Sequence, residues 1–306
     1  MNNIDLINKA AISTGGLNTG GLLNPEQARK FVQQIFESTE FGSLVRHEMR
    51  TAKTGEIDKI GIASRILREK TEDTDDGERV GVKTSKISYA TKSVRLPWEI
   101  TEETLRENIE GQTFEEIVTN LMTTQAGVDL LDLYFNGDTA TLSGDADYNF
   151  LKIDDGWIKQ ISQSGHVIDK TSESGLTLDG FYEAVKAIPN KYNNGKLRWL
   201  MSPHRAQEWE RYLLNQAITA GGMVPESVYK NPVSIPTVQV PMLSDNVILL
   251  ADPQNLCVVN TYDMRIRKTT EGKEAIMQDK RFYVLHMDFD TIIEETDATA
   301  IIKLKK

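Results

Sequence analysis

Apolar residues first fall into a regular pattern at Ala28, Phe31, Val32, Ile35 and Phe36, the three-four spacing of one helix face. Asn24 can cap that helix, Pro25 fits its first position and Glu26 faces its positive end, so a helix is predicted to start at residue 25. Before it, Gly15-Gly16 and Gly20-Gly21 stand among Ser, Thr and Asn without any period, which predicts a flexible arm over 1–24. The period then changes to two. Ile60, Ile62, Ser64 and Ile66 alternate on the way out, and Ile87, Tyr89 and Thr91 alternate on the way back, as in a long two-stranded hairpin.

Helical spacing returns after Trp98. Thr101-Glu102-Glu103-Thr104 is close to a capping sequence, and Thr113-Phe114-Glu115-Glu116 opens a longer run. Phe114, Ile117, Val118, Leu121, Met122, Val128, Leu131 and Phe135 share its apolar face, and Asn136-Gly137 stops it. At 1.5 Å per residue this helix would be roughly 35 Å long. Residues 137–175, rich in Gly, Ser and Asp, read mainly as loop with a short ordered piece around Phe150 to Ile161. A helix over 178–188, a strand over 197–201, a second helix from Pro203 and a strand over 247–251 follow as an α/β region. Tyr283, Leu285, Met287 and Phe289 alternate, as do Ala300, Ile302 and Leu304, predicting terminal strands. The fold class is α+β, without an internal repeat.

Charge sharpens one part of this picture. The 306 residues hold 45 acids and 35 bases, a net of −10, which argues against a chain that grips phosphates over its whole surface. Between the hairpin strands, residues 69–79 carry six acids and two bases, a net of −4 that cannot be buried. The returning segment 80–97 has Lys83, Lys86, Lys92 and Arg95 and no acid. So polar an extension has little core of its own and needs a neighbour. Glu72, Asp73, Asp75, Asp76, Lys83, Lys86, Lys92 and Arg95 are therefore the candidate subunit-interface residues.

A search for chemistry assigns no catalytic, cofactor or metal residue. One cysteine and four scattered histidines give no zinc spacing, and His47-Glu48 lacks a second histidine four residues on. Asp145-Ala146-Asp147 begins like a calcium loop, but its sixth position is Phe150 and its twelfth is Gly156. The glycines at 15–21 lack the lysine and hydroxyl of a phosphate loop. Asp154-Asp155 and Glu294-Glu295 read as solvated pairs, Cys257 as a buried thiol, and Trp209 with Tyr212 as core packing. With no apolar run of about 20 residues and no export signal at Met1, synthesis in a reducing cytoplasm and no membrane partner are expected.

The order of parts resembles the tailed-phage major capsid family with the Hong Kong 97-type fold. The local matches are Leu23-Asn24-Pro25-Glu26-Gln27-Ala28, Glu99-Ile100-Thr101-Glu102-Glu103-Thr104-Leu105, Phe135-Asn136-Gly137-Asp138, Asp155-Gly156-Trp157 and Met201-Ser202-Pro203. Leu250-Ala251-Asp252-Pro253-Gln254-Asn255-Leu256 leading to Asp263-Met264-Arg265-Ile266-Arg267 completes the set, which is specific only as an ordered whole. The resemblance implies an N-terminal arm with the first helix at 1–50, an extended E-loop at 51–97 and a peripheral domain with a long spine helix at 98–150. An axial α/β domain at 151–255 and return strands to the peripheral domain at 256–306 would follow. It also implies self-assembly into hexamers and pentamers around double-stranded DNA, without sequence-specific binding. Further partners would be a portal protein and a decoration protein. A separate scaffolding protein is expected because only 24 residues precede the first predicted helix. Some relatives join a hairpin lysine to an asparagine near a neighbour's C-terminus. Here no asparagine follows Asn260, so no such bond is expected. The alternative is an encapsulin-like shell, with the same fold around a protein cargo.

Overall fold

The computed structural model describes residues 11–12, 41, 44–61, 67, 81–107, 113–173, 175–220, 231–261 and 265–305. The expected arm is described only at Ala11–Ile12, a two-residue strand β1, and the expected first helix lies outside the described residues.

One long strand organises the first sheet. β12, Lys280–Ile293, turns Tyr283, Leu285, Met287 and Phe289 inward, the alternation predicted for it. Along one side it pairs antiparallel with β5, Lys92–Thr101. Its other side is shared by β11, Arg265–Thr269, and β10, Leu256–Asn260. β2, Arg46–Met49, extends the sheet beyond β10, and β1 lies parallel to β5. Across the inner face runs α2, Thr113–Asn136, whose 24 residues span about 36 Å. Phe41, Tyr134, Phe135, Trp157 and Phe289 form its aromatic contact with the sheet, with ring centroids such as Phe135–Trp157 at 5.2 Å and Tyr134–Phe289 at 5.2 Å. Before α2 comes the short helix α1, Glu102–Glu107, capped as predicted by Thr101, whose Oγ1 accepts from the Thr104 amide at 3.2 Å. Arg281 then ties the two helices to β12 through Glu102 and Glu115.

The second sheet follows the order β6-β13-β9-β7-β8, with β6 at His166–Lys170, β7 at Arg198–Met201, β8 at Thr237–Gln239, β9 at Val247–Ala251 and β13 at Ala300–Leu304. Between strands lie α3 (Tyr148–Leu151), α4 (Trp157–Ser164), α5 (Leu178–Ala187) and α6 (Pro203–Ala220). Phe181 meets Trp199 and Trp209 at 4.8 Å each, so Trp209 packs in the core as expected.

Three expectations need correction. The stretch 137–175 holds more than the one short ordered piece expected in its loops: α3 and α4 lie around that piece, and β6 follows them. β6 escaped notice because it is a short edge strand whose partner β13 lies at the far end of the chain, and only that pairing reveals it. The returning segment 80–97 is two strands, β4 (Lys83–Ala90) and β5, separated at Thr91, because β4 pairs with the outgoing β3 (Thr54–Gly61) while β5 leaves to pair with β12. The last strand, β13, is hydrogen-bonded in the second sheet between β6 and β9 instead of returning to the first. Its run Ala300-Ile301-Ile302 is apolar on both faces because a central strand is covered on both.

Candidate assembly surface

The hairpin is rooted on the first sheet and becomes polar away from it. Ile57, Ile87 and Tyr89 rest on Cys257, Val259 and Ile292. Cys257 is buried, and burial pushes its thiol up to about 12, so it is a packing group and not a nucleophile. Lys59 reaches Glu295 by an ion pair and the Glu294 carbonyl at 3.3 Å. Further out, Ile60 and Val82 are exposed, as are Lys83 and Lys86. Nothing in the described part of this outer hairpin supplies a core.

Beneath the root sit three buried carboxylates. Asp290 Oδ2 accepts from the Ala90 amide at 2.6 Å, fixing the end of β4. Asp288 accepts from the Thr261 amide at 2.9 Å and from the Thr91 hydroxyl at 3.3 Å. Asp154, expected to be solvated beside Asp155, is instead 7% exposed, because the loop before α4 folds against β12. Its Oδ2 is buried without a hydrogen-bond partner and lies within reach of Asp290. Two ionised carboxylates have no hydrogen to share, so this contact requires a proton. Burial first, and then the Asp290 charge, push the Asp154 carboxyl up to about 7.

A folded-state pKa above the unfolded value means that the stabilisation is complete below about pH 4 and is lost as pH rises through about 7. Between about pH 5 and 8 the unfolding temperature should therefore fall more steeply in the natural chain than in Asp154→Asn, whose amide donates to Asp290 at every pH. Parallel slopes in a thermal scan would show that Asp154 does not titrate there.

Next to the root, the outer face of the first sheet carries a line of bases. Arg95, His286 and Arg265 stand opposite one another on β5, β12 and β11, with Pro97, Val284 and Arg267 in the line two residues along. Both sets alternate with the buried positions Trp98, Leu285 and Tyr283, so they point away from the core. Arg95, Arg265 and Arg267 are exposed. Of the predicted interface residues, Lys83 and Lys86 are thus on the hairpin, where Lys86 meets Glu56 at 2.5 Å, whereas Lys92 and Arg95 belong to the sheet. Glu72, Asp73, Asp75 and Asp76 lie outside the described residues. Sequence reasoning missed Arg265, Arg267 and His286, since only strand register places them beside Arg95.

No protein-family model matches the chain. It is 29% identical over 324 aligned residues to the candidate prophage capsid protein YqbE of Bacillus subtilis (strain 168), covering 100% of both chains. A chain of the satellite phage P4 procapsid that includes the size determination (Sid) protein superposes with a TM-score of 0.62 at 17% identity, over 91% of this chain and 99% of that one. The fold is that of a phage capsid subunit. A chain from Mycobacterium phage Adephagia gives 0.63 at 12% identity over 96% and 98%, and the capsid of an empty GTA particle 0.63 at 10% over 89% and 91%. The fold expected from the resemblance to the Hong Kong 97-type capsids is borne out. None of these comparisons favours the encapsulin-like alternative.

Proposed function

We propose that the chain is the major capsid protein of a tailed phage, closing into a shell of hexamers and pentamers around double-stranded DNA in the host cytoplasm, with no catalytic step of its own. The observation that carries this is the hairpin: a root locked onto the first sheet and an outer part whose described residues are exposed and supply no core. In an isolated subunit such an extension gains nothing from folding, whereas laid on a neighbour it buries area and satisfies charge. The sheet built on β12 with the long helix α2 would form the peripheral unit, and the sheet from β6 to β8 the axial one. A scaffolding protein, a portal and a decoration protein remain the expected partners of such a shell. Microscopy of the purified chain at assembly concentrations tests the proposal. Closed particles with five- and six-fold capsomers are expected; a chain that stays monomeric with and without its phage's scaffolding protein contradicts it.

A further inference from the structure

We propose that Asn194, on the loop between α5 and β7, is a site of spontaneous backbone modification. The Gly195 nitrogen closes a five-membered imide on the Asn194 side chain, and water reopens it to aspartate and isoaspartate. The chain has two Asn-Gly pairs, Asn136-Gly137 and Asn194-Gly195. The sequence marks them alike, and the structure separates them. Residues 193–196 are exposed. Gly195 has a φ of +81°, which glycine adopts without strain, and a Cβ there would meet nothing within 4 Å. The approach of its nitrogen to Asn194 Cγ is therefore uncrowded. No described residue accepts from the Gly195 amide, so its hydrogen is open to removal by base. The Lys196 amide donates to Asn194 Oδ1 at 3.1 Å. That bond polarises the side-chain carbonyl and meets the charge that grows on Oδ1 as the nitrogen adds. The Arg198 guanidinium donates to the Gly195 carbonyl at 3.1 Å, which holds the loop in this shape.

Water is the only co-reactant. A bond forms between the Gly195 nitrogen and Asn194 Cγ, the Cγ–Nδ2 bond breaks, and the amide hydrogen leaves with Nδ2 as ammonia. Water then opens the imide at either carbonyl. Opening at Cγ leaves an ordinary aspartate, and opening at the main-chain carbonyl leaves the backbone running through the side chain as isoaspartate. Each event adds one negative charge to a chain of net −10. Asn136 is closed to this chemistry. It ends α2, and its Nδ2 donates to Asp132 Oδ1 at 2.6 Å and to the Met242 carbonyl at 2.7 Å. Gly137 is buried, and its amide donates to the Leu133 carbonyl at 3.0 Å. These three bonds must open before the nitrogen can reach Cγ.

The proposal stands apart from the capsid reading and is tested on the purified full-length chain. The folded chain is held warm at mildly alkaline pH and digested, and the peptides holding residues 136 and 194 are followed by mass spectrometry. Synthetic peptides distinguish aspartate from isoaspartate. Asn194 should convert to a mixture of the two. Asn136 should react about a hundredfold more slowly, since three hydrogen bonds have to open first. In denaturant the two sites should convert at similar rates, which shows that the fold makes the difference. Gly195→Ala crowds the attacking nitrogen and should slow conversion at 194 severalfold, with circular dichroism to check that the variant folds. Should it not fold, the comparison of folded and denatured natural chain decides alone. An Asn194 that keeps its amide in the folded chain while losing it in denaturant overturns the proposal. Equal rates at 136 and 194 in the folded chain also overturn it, as does aspartate without isoaspartate, the mark of direct hydrolysis.

Discussion

Gly156→Ala is expected to leave little soluble, folded chain. A Cβ at 156 would lie 2.7 Å from the Phe135 carbonyl oxygen and 2.8 Å from that of Leu133, both backbone atoms at the end of α2. Neither can turn aside as a side-chain tip could. The Gly156 amide donates to the Gly137 carbonyl at 2.8 Å, so the loop cannot back away without losing that bond. Trp157 follows immediately, fully buried against Phe41, Tyr134 and Phe135, and any shift of Gly156 drags it. Overpacking typically costs about 1–3 kcal/mol and occasionally more, and a clash with fixed backbone atoms belongs at the upper end, a large share of the roughly 5–15 kcal/mol that holds a domain folded. Gly144→Ala is the control, because nothing lies within 4 Å of its added Cβ. Equal melting temperatures for the two variants would show that the α2 terminus is looser than described.

Trimming the hairpin should have the opposite profile, abolishing shells while sparing the subunit. Lys59 and Ser85 are paired across β3 and β4, so an Asn-Gly turn can join them in place of residues 60–84. The root contacts of Ile57, Ile87 and Tyr89 and the Lys59–Glu295 ion pair remain. The described residues removed, among them Ile60, Val82 and Lys83, are exposed, so unfolding free energy should change by no more than about 1 kcal/mol. Assembly should fall to background by light scattering. Shells at normal yield would mean that the extension contributes nothing between subunits.

Much of the fold could be read locally. The 24-residue helix α2 announced itself through its apolar stripe and its Asn136-Gly137 stop, and β9 and β12 through composition and alternation. What stayed hidden depends on partners distant in the chain. β6 has no local signature that separates it from loop, and β13 could not be assigned to a sheet by its own residues. The division of 80–97 at Thr91 is likewise set from outside, by the Lys53 carbonyl that receives the Thr91 amide at 2.8 Å and by Asp290 on the Ala90 amide. For the site, a count of charges found Arg95 but not the two strands that line up Arg265 and His286 beside it. Asp154 misled for a related reason: an Asp-Asp pair looks solvated until the loop that carries it is seen folded onto β12.

The most direct test is a symmetry-resolved reconstruction of particles made by the natural chain. Subunits around five- and six-fold axes are predicted, each laying its 60–84 segment over the next. Particles without such axes, or hairpins that contact only their own subunit, would contradict the account.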